Sequence, residues 1–429
     1  MIPQSNFMVL APIVPQREAE LRLLLASMNG APGRVDPNNV LFPFAQFDRI
    51  HVARFLIIDD KTTSDVSAYN LPAPNYPLYL CFLGDIDGDA DSFFDEIVKR
   101  AEKGLRTLFS YCEGFGTTTD LRRYVREHRV ESAANYINWL GRTVSDVREE
   151  AALHDALESF VREARPSTAR DLHRSARKFV RDETAAGRLT LTAEPPTPLG
   201  WKLRSTAHLV GVPIALIVLS PALAVIGALG VLQLRRSEKV DPELCDRCDA
   251  EHSNDLALIE DHDVTNQFTA MGSLKPGVLR LWTTMAAFFA IDYAARHVFN
   301  RGGLARVRTI HFARWVFLDN RKRAVFFSNY DGSLEAYMDD FINKVGFGLN
   351  IAFNGGIGYP RTRWLALDGC SDERKFKEYL RRHQVPTQVW YKAYPGLTAV
   401  DLERNRRIRE GLETESLSEE QATQWAALL

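Results

Sequence analysis

Ile50-His51-Val52-Ala53-Arg54-Phe55 returns later in the chain as Ile310-His311-Phe312-Ala313-Arg314-Trp315, and each copy runs on through apolar residues to an acid, Asp59 or Asp319. Downstream, Asp87-Gly88, Phe93, Asp95, Gly104-Leu105 and Phe109 match Asp331-Gly332, Tyr337, Asp339, Gly348-Leu349 and Phe353 without a gap. Tyr124, His128, Val130, Tyr136, Gly141, Thr143 and Asp146 then align with Tyr379, His383, Val385, Tyr391, Gly396, Thr398 and Asp401. A solenoid repeats every 20 to 50 residues or so, whereas this period is far longer and occurs twice. The repeated unit is therefore a domain.

Within each copy the apolar pattern predicts strand, helix, two strands, helix and a last strand. In the first, Asn6–Ile13, Ile50–Ile58, Tyr79–Leu83 and Ala133–Trp139 read as strands, with helices over Arg17–Met28, Ser92–Phe109 and Leu121–His128. The second copy predicts the same order, from a strand at Phe268–Ser273 to one at Thr387–Ala393. The fold class is α+β. Boundaries follow at 1–157 for the first repeat, 158–206 for a basic helical linker and 207–236 for a membrane segment. A polar loop at 237–261, the second repeat at 262–412 and a tail at 413–429 complete the chain.

This order resembles the ferredoxin-like split β-α-β unit, and its repetition resembles the dimeric α/β-barrel superfamily. The resemblance covers roughly residues 5–150 and 262–412. It implies two ferredoxin-like repeats pairing as an intrachain pseudo-dimeric α/β barrel. Members of that superfamily include haem-dependent chlorite dismutases, dye-decolourising peroxidases and cofactor-free monooxygenases. Fold alone does not select among them.

The 429 residues are 45% hydrophobic and 25% charged, ordinary globular usage, and the net charge of −2 gives no field for nucleic acid. No nucleic-acid partner is expected. Five cysteines without a framework spacing suit a reducing compartment, and Met1–Met8 lacks the basic and apolar regions of a secretory signal.

Between the repeats, Leu209–Leu234 reads LVGVPIALIVLSPALAVIGALGVLQL without a charge. As a helix it is about 39 Å long, more than the roughly 30 Å hydrocarbon core of a bilayer. A single crossing would put the two repeats on opposite sides of the membrane. Pro213 and Ser220-Pro221 therefore predict a re-entrant hairpin broken near Pro221, with a single span as the other arrangement. Lys202, Arg204, Arg235, Arg236 and Lys239 flank the run and point both ends to the cytoplasm. The lipid bilayer is the expected partner. Upstream, Arg170, Arg174, Arg177, Lys178 and Arg181 lie on a helix with Leu172, Phe179 and Val180, a pattern that suits either an anionic leaflet or a solvated surface.

The candidate catalytic residues are His311, Arg314 and Asp331, with His51, Arg54 and Asp87 as their first-copy counterparts. Strand alternation puts the histidine and arginine of each copy on opposite faces, so one of each pair can reach a barrel interior. The enzymatic reading is haem ligated by a histidine, with peroxide activated by the nearby arginine or aspartate. The alternative for His51, Arg54, His311 and Arg314 is hydrogen bonding within a buried strand end, and for Asp87 and Asp331 turn and cap chemistry, with Asp89 and Ser333 as the caps. Cys245-Asp246-Arg247-Cys248 with His252 and His262 has metal spacing but lacks a second pair of thiolates, so no metal is expected. These readings give a membrane-anchored oxidoreductase, peroxidase-like or monooxygenase-like, acting on an apolar or lipid-derived substrate. The competing class is a non-catalytic lipid-binding or scaffold protein at the membrane.

Overall fold

The computed structural model describes residues 1–163, 168–244 and 247–429. In the first half the chain forms β1 (Gln4–Pro12), α1 (Glu18–Ala26), β2 (Ile50–Ile58), β3 (Tyr79–Asp87), α2 (Ala90–Phe109), α3 (Leu121–Glu127), β4 (Ala134–Ile137) and α4 (Val144–Glu163). Three helices follow, α5 (Ala169–Ala185), α6 (Leu199–Val240) and α7 (Ala250–Ala257). The second half brings β5 (Thr265–Ser273), α8 (Val278–His297), β6 (Ile310–Leu318), β7 (Arg323–Asp331), α9 (Leu334–Phe353), α10 (Glu373–His383), β8 (Val389–Lys392), α11 (Ala399–Glu413) and α12 (Glu419–Ala426).

The long strands form two four-stranded antiparallel sheets, β1-β3-β2-β8 and β4-β6-β7-β5. The halves have exchanged their last strands. Val389 and Trp390 of β8 lie opposite Phe55 and Arg54, while Ala134 and Asn135 of β4 lie opposite Trp315 and Arg314. Local geometry recurs with the sequence. Both central ladders slip, between Ile50 and Val52 and between Ile310 and Phe312. Both α2 and α9 leave helical geometry once, at Ala101 and at Val345. At the strand-to-helix handover Gly88 and Gly332 have φ of 78° and 86°, a region that a side chain would strain.

The sheets pack face to face. Met8, Leu10, Leu56, Ile58, Cys81 and Leu83 of one meet Met271, Val316, Leu318, Val325 and Phe327 of the other. Their outer faces are covered by helices: Phe7, Phe55 and Phe82 lie under Leu21, Phe93 and Phe94, and Trp315 and Phe326 under Phe288 and Phe353. Each strand is thus buried on both sides, which explains its nearly unbroken apolar run. Full burial contributes about 1.5–3 kcal/mol per large side chain. The expected barrel does not close. Each sheet keeps its own hydrogen-bonded ladder, and the space a barrel would enclose is filled by side chains of the two facing sheets.

A helical annex carries the rest of the buried surface. Leu153 and Leu157 of α4, Leu172, Ala176 and Val180 of α5, Ile408 and Leu412 of α11 and Trp425 of α12 form one cluster. The apolar side of the basic helix is therefore used within the protein, and Arg177 donates to the Leu412 and Glu415 carbonyls at 3.0 and 2.6 Å. The C-terminal segment is likewise packed, through α12, and is no free tail.

The re-entrant hairpin expected from the prolines is not formed. Pro213 and Pro221 sit inside one helix of 42 residues. Each proline removes one donor and leaves its neighbours' bonds in place, so each loosens the helix without ending it. Residues 214–229 are exposed on every face, and by length and composition α6 is the one helix among the described residues that could cross a membrane.

Candidate functional site

The slip in each central ladder takes His51 and His311 out of register at the end of their strands, where they meet the aspartates that end β3 and β7. His51 Nε2 donates to Asp87 Oδ1 at 2.9 Å, and His311 Nε2 donates to Asp331 Oδ1 at 2.7 Å. The second oxygen of each aspartate accepts a backbone amide, Val144 for Asp87 at 2.9 Å and Ala399 for Asp331 at 2.6 Å. These amides open α4 and α11, whose first turns leave donors unpaired. Each His-Asp pair therefore ties a central strand to the start of a helix. Thr143 with Asp146 and Thr398 with Asp401 complete the two caps. Asp89 and Ser333 cap α2 and α9 as the sequence suggested, whereas Asp87 and Asp331 serve helices far along the chain.

Tyr394 joins the first pair, its hydroxyl donating to His51 Nδ1 at 3.1 Å. The resulting Tyr-His-Asp chain has the connectivity of a relay from nucleophile to base to orienting acid. Its environment gives the opposite chemistry. Burial holds the Tyr394 phenol well above its ordinary range, with Arg142 only partly offsetting this. An activated nucleophile needs its pKa lowered.

In the second half Thr265 donates to Asp331 at 2.5 Å, and Lys392 donates to Thr265 and to the Leu397 carbonyl. Burial brings the Lys392 ammonium down to about 8, against the upward pull of Asp331. Gln4 does the corresponding work in the first half, donating to the Trp139 carbonyl at 3.1 Å and to that of Arg142. Burial pushes the Asp331 carboxyl up, yet the donors from His311, Thr265 and Ala399 outweigh it and hold the group below its usual range. Burial also holds His311 below its usual value despite Asp331. The pair is a neutral imidazole donating to a carboxylate.

A pH dependence follows. The unfolded chain takes up a proton at His311 near its ordinary value of 6.5, and the folded chain does so only at lower pH. Stability is then fully present above pH 6.5 and is lost as the pH falls below it. We expect the unfolding midpoint to drop between pH 7 and 5, and His311→Gln, which keeps a donor toward Asp331, to flatten that decline. An unchanged slope in the variant would assign the decline to other groups.

Arg54 and Arg314 point the other way, across the space between the sheets. Arg54 donates to the Phe268 and Ser328 carbonyls, Thr269 Oγ1 and Asn329 Oδ1 at 2.8–3.1 Å. Arg314 returns the contact, donating to the Phe7 and Gly84 carbonyls at 3.0 Å and pairing with Asp85 at 2.6 Å. Of the two guanidinium groups Arg314 has the carboxylate and Arg54 an amide oxygen, since Asn329 stands in β7 where β3 has Asp85. Burial, helped by the charge of Arg314, lowers Arg54 to about 9, and burial pushes the Asp85 carboxyl up.

The six expected residues form two histidine-aspartate clamps and one pair of crossing arginines, all at most 7% exposed. The cavity between Arg54 and Arg314 is about 10 Å³. That is room for about one water, whereas small-molecule pockets are roughly 300–1,000 Å³. The residues present do not fit a haem there. A larger polar groove of about 590 Å³ opens beside α9 and α10, away from all six. Two of its cations are paired, Lys377 with Glu335, Asp339 and Glu373, and Arg381 with Glu260.

Sequence reasoning missed Tyr394, Lys392, Thr265 and Asp85. Asp85 carried a usable signal, a charge inside an apolar strand. Tyr394 carried none, because it follows the exchanged strand and reaches His51 of the first half only through it. Cys245 and Asp246 of the incomplete metal motif lie outside the described residues. Of its histidines, His252 bonds to the Gln384 carbonyl and His262 to that of Leu258. Compared with protein-family models, curated proteins and solved structures, the chain matches none of them.

Proposed function

We propose that this chain is a membrane-attached, non-catalytic protein, a rigid double-sheet body held at a lipid surface by α6. One observation carries the reading: residues 214–229 are exposed on every face of α6, the one helix among the described residues apolar and long enough to cross a membrane. Apolar area left in water on that scale marks a contact with lipid or protein. The buried clamps support a structural role for the histidines, arginines and aspartates. Unpaired thiols at Cys81, Cys112 and Cys370 support placement of the body on the cytoplasmic side. The recurring ladder slips, helix kinks and clamps support descent of both halves from one duplicated ferredoxin-like unit.

Flotation with phospholipid vesicles tests attachment. The full chain is expected to rise with the vesicles, and a variant with residues 209–234 replaced by a Gly/Ser linker to stay below with its circular dichroism otherwise preserved. A wild-type chain that stays below removes the reading. An absorption spectrum after expression with haem precursor tests the non-catalytic part. A Soret band that disappears in His311→Ala would restore the oxidoreductase.

A further inference from the structure

Helix α6 touches the body at both ends. Near its start His208 Nδ1 lies 2.8 Å from His297 Nε2, and the Tyr293 hydroxyl donates to the Leu209 carbonyl at 2.9 Å. Further along, Gly230 approaches Leu279. At its end Glu238, only 4% exposed, accepts the Thr362 hydroxyl at 2.6 Å and the Trp364 and Leu365 amides at 3.0 and 2.7 Å. Asp241 just beyond is held by Arg280 at 2.6 Å and Lys275 at 3.3 Å. These contacts run down α8 from its last turn to its first, so α6 lies lengthwise and antiparallel beside α8.

That placement conflicts with a perpendicular crossing. On its other side α8 packs into the second sheet, with Phe288 against Trp315 and Phe317 at ring distances of 5.9 and 5.0 Å. An α6 that spanned the bilayer while keeping both ends docked would draw α8 and its charged Arg280, Asp292 and Arg296 into the hydrocarbon. Each charge at that depth costs about 2.5–3.5 kcal/mol or more.

Beside α6, α8 turns a second apolar stripe outward. Val278, Trp282, Ala286 and Phe289 recur at helical spacing and are all exposed, Trp282 by 61%. Cations mark both ends of α6: Lys202 and Arg204 are exposed at one, Arg236 and Lys239 at the other. Trp364, 47% exposed, lies near Arg235 at the second end. Tryptophan beside basic residues is the signature of a headgroup layer, and exposed cations are drawn to anionic lipid.

We propose that α6 and the outer stripe of α8 form a single membrane face that lies in the plane of one leaflet of an anionic phospholipid bilayer. The acyl chains surround residues 214–229, and both ends of α6 remain at the headgroups on the same side. This rests on the membrane attachment proposed above. The two docked ends act as tethers, so the body fixes the helix in the plane where an ordinary interfacial helix relies on a polar face.

The test uses the full chain, synthesised in the presence of sealed phosphatidylcholine–phosphatidylserine vesicles, with Cys245 and Cys248 replaced by serine and one cysteine introduced at a time. Arg204→Cys and Lys239→Cys are both expected to react with a membrane-impermeant maleimide from outside, to the same extent with and without detergent. Val218→Cys and Trp282→Cys are expected to react at least about tenfold more slowly on vesicles than after detergent is added, because acyl chains exclude the aqueous reagent. If either end reacts only once detergent opens the vesicles, α6 spans and the proposal fails. If Trp282→Cys reacts as fast on vesicles as in detergent, α8 is outside the lipid and the shared face is wrong. Protein that does not float at all fails at the earlier step, attachment itself, and so is told apart from both.

Discussion

Arg314→Ala should destabilise the protein by about 3–5 kcal/mol, the usual result of stripping one partner from a buried ion pair. The side chain is 2% exposed, the contacts named above all belong to the first sheet, and Asp85 has no other close ion-pair partner among the described residues. Its removal leaves a buried carboxylate without its partner. The double variant Asp85→Asn/Arg314→Met should cost much less than the sum of the two single changes, since it removes both charges and restores the neutral residue that Asn329 already supplies in β7. Arg54→Ala should fall below Arg314→Ala, because its partners are carbonyls, a hydroxyl and an amide, none of them charged. Urea midpoints for the wild type, the double variant and its two single changes measure the coupling. A cost for Arg314→Ala under about 1 kcal/mol, the range of a surface pair, would show that water enters the layer between the sheets.

The second large effect concerns the halves. A fragment of residues 1–157 contains β1, β2 and β3 but lacks β8, so β2 would present an open edge from Val52 to Phe55. It also loses the facing sheet, exposing Met8, Leu10, Leu56, Ile58 and Leu83. We expect this fragment to show no cooperative thermal transition and to aggregate. Mixed during refolding with residues 158–429, it should recover the transition of the intact chain, because β4 and β8 can then cross. A fragment that unfolds cooperatively as a monomer would mean that the first half closes its own sheet in isolation.

Much of this architecture was legible because each part had a local cause. The apolar runs of β2 and β6 needed burial on both faces, and the Asp-Gly pairs marked the handover to α2 and α9. The strand exchange was not legible. β4 and β8 are four residues each, and either one satisfies the edge of β2 or of β6 by backbone hydrogen bonding alone. Which edge each takes is set by the tertiary path of the chain. The candidate residues, read from the sequence as catalytic, are buried polar groups, and what each does depends on what surrounds it. Strand alternation separated His51 from Arg54, but only the ladder slips place the histidines beside Asp87 and Asp331. Two prolines in α6 predicted a break because a proline's local cost is readable in sequence. The bonds that carry the helix past them are not.

The exchange of β4 and β8 also imposes an order on synthesis. The strand that completes the first sheet ends at Lys392, long after β2 has ended at Ile58. At a translation rate of about 5–20 residues per second, β2 waits with an unpaired edge for tens of seconds. Such an edge is a template for pairing with other chains. During that interval α6 is made, and it can meet lipid before either sheet is complete. For the first half of this protein the ribosome is therefore part of the folding environment, joined under the proposed attachment by a lipid surface, and agents that shield a nascent strand edge should raise its yield more than agents that stabilise the finished fold.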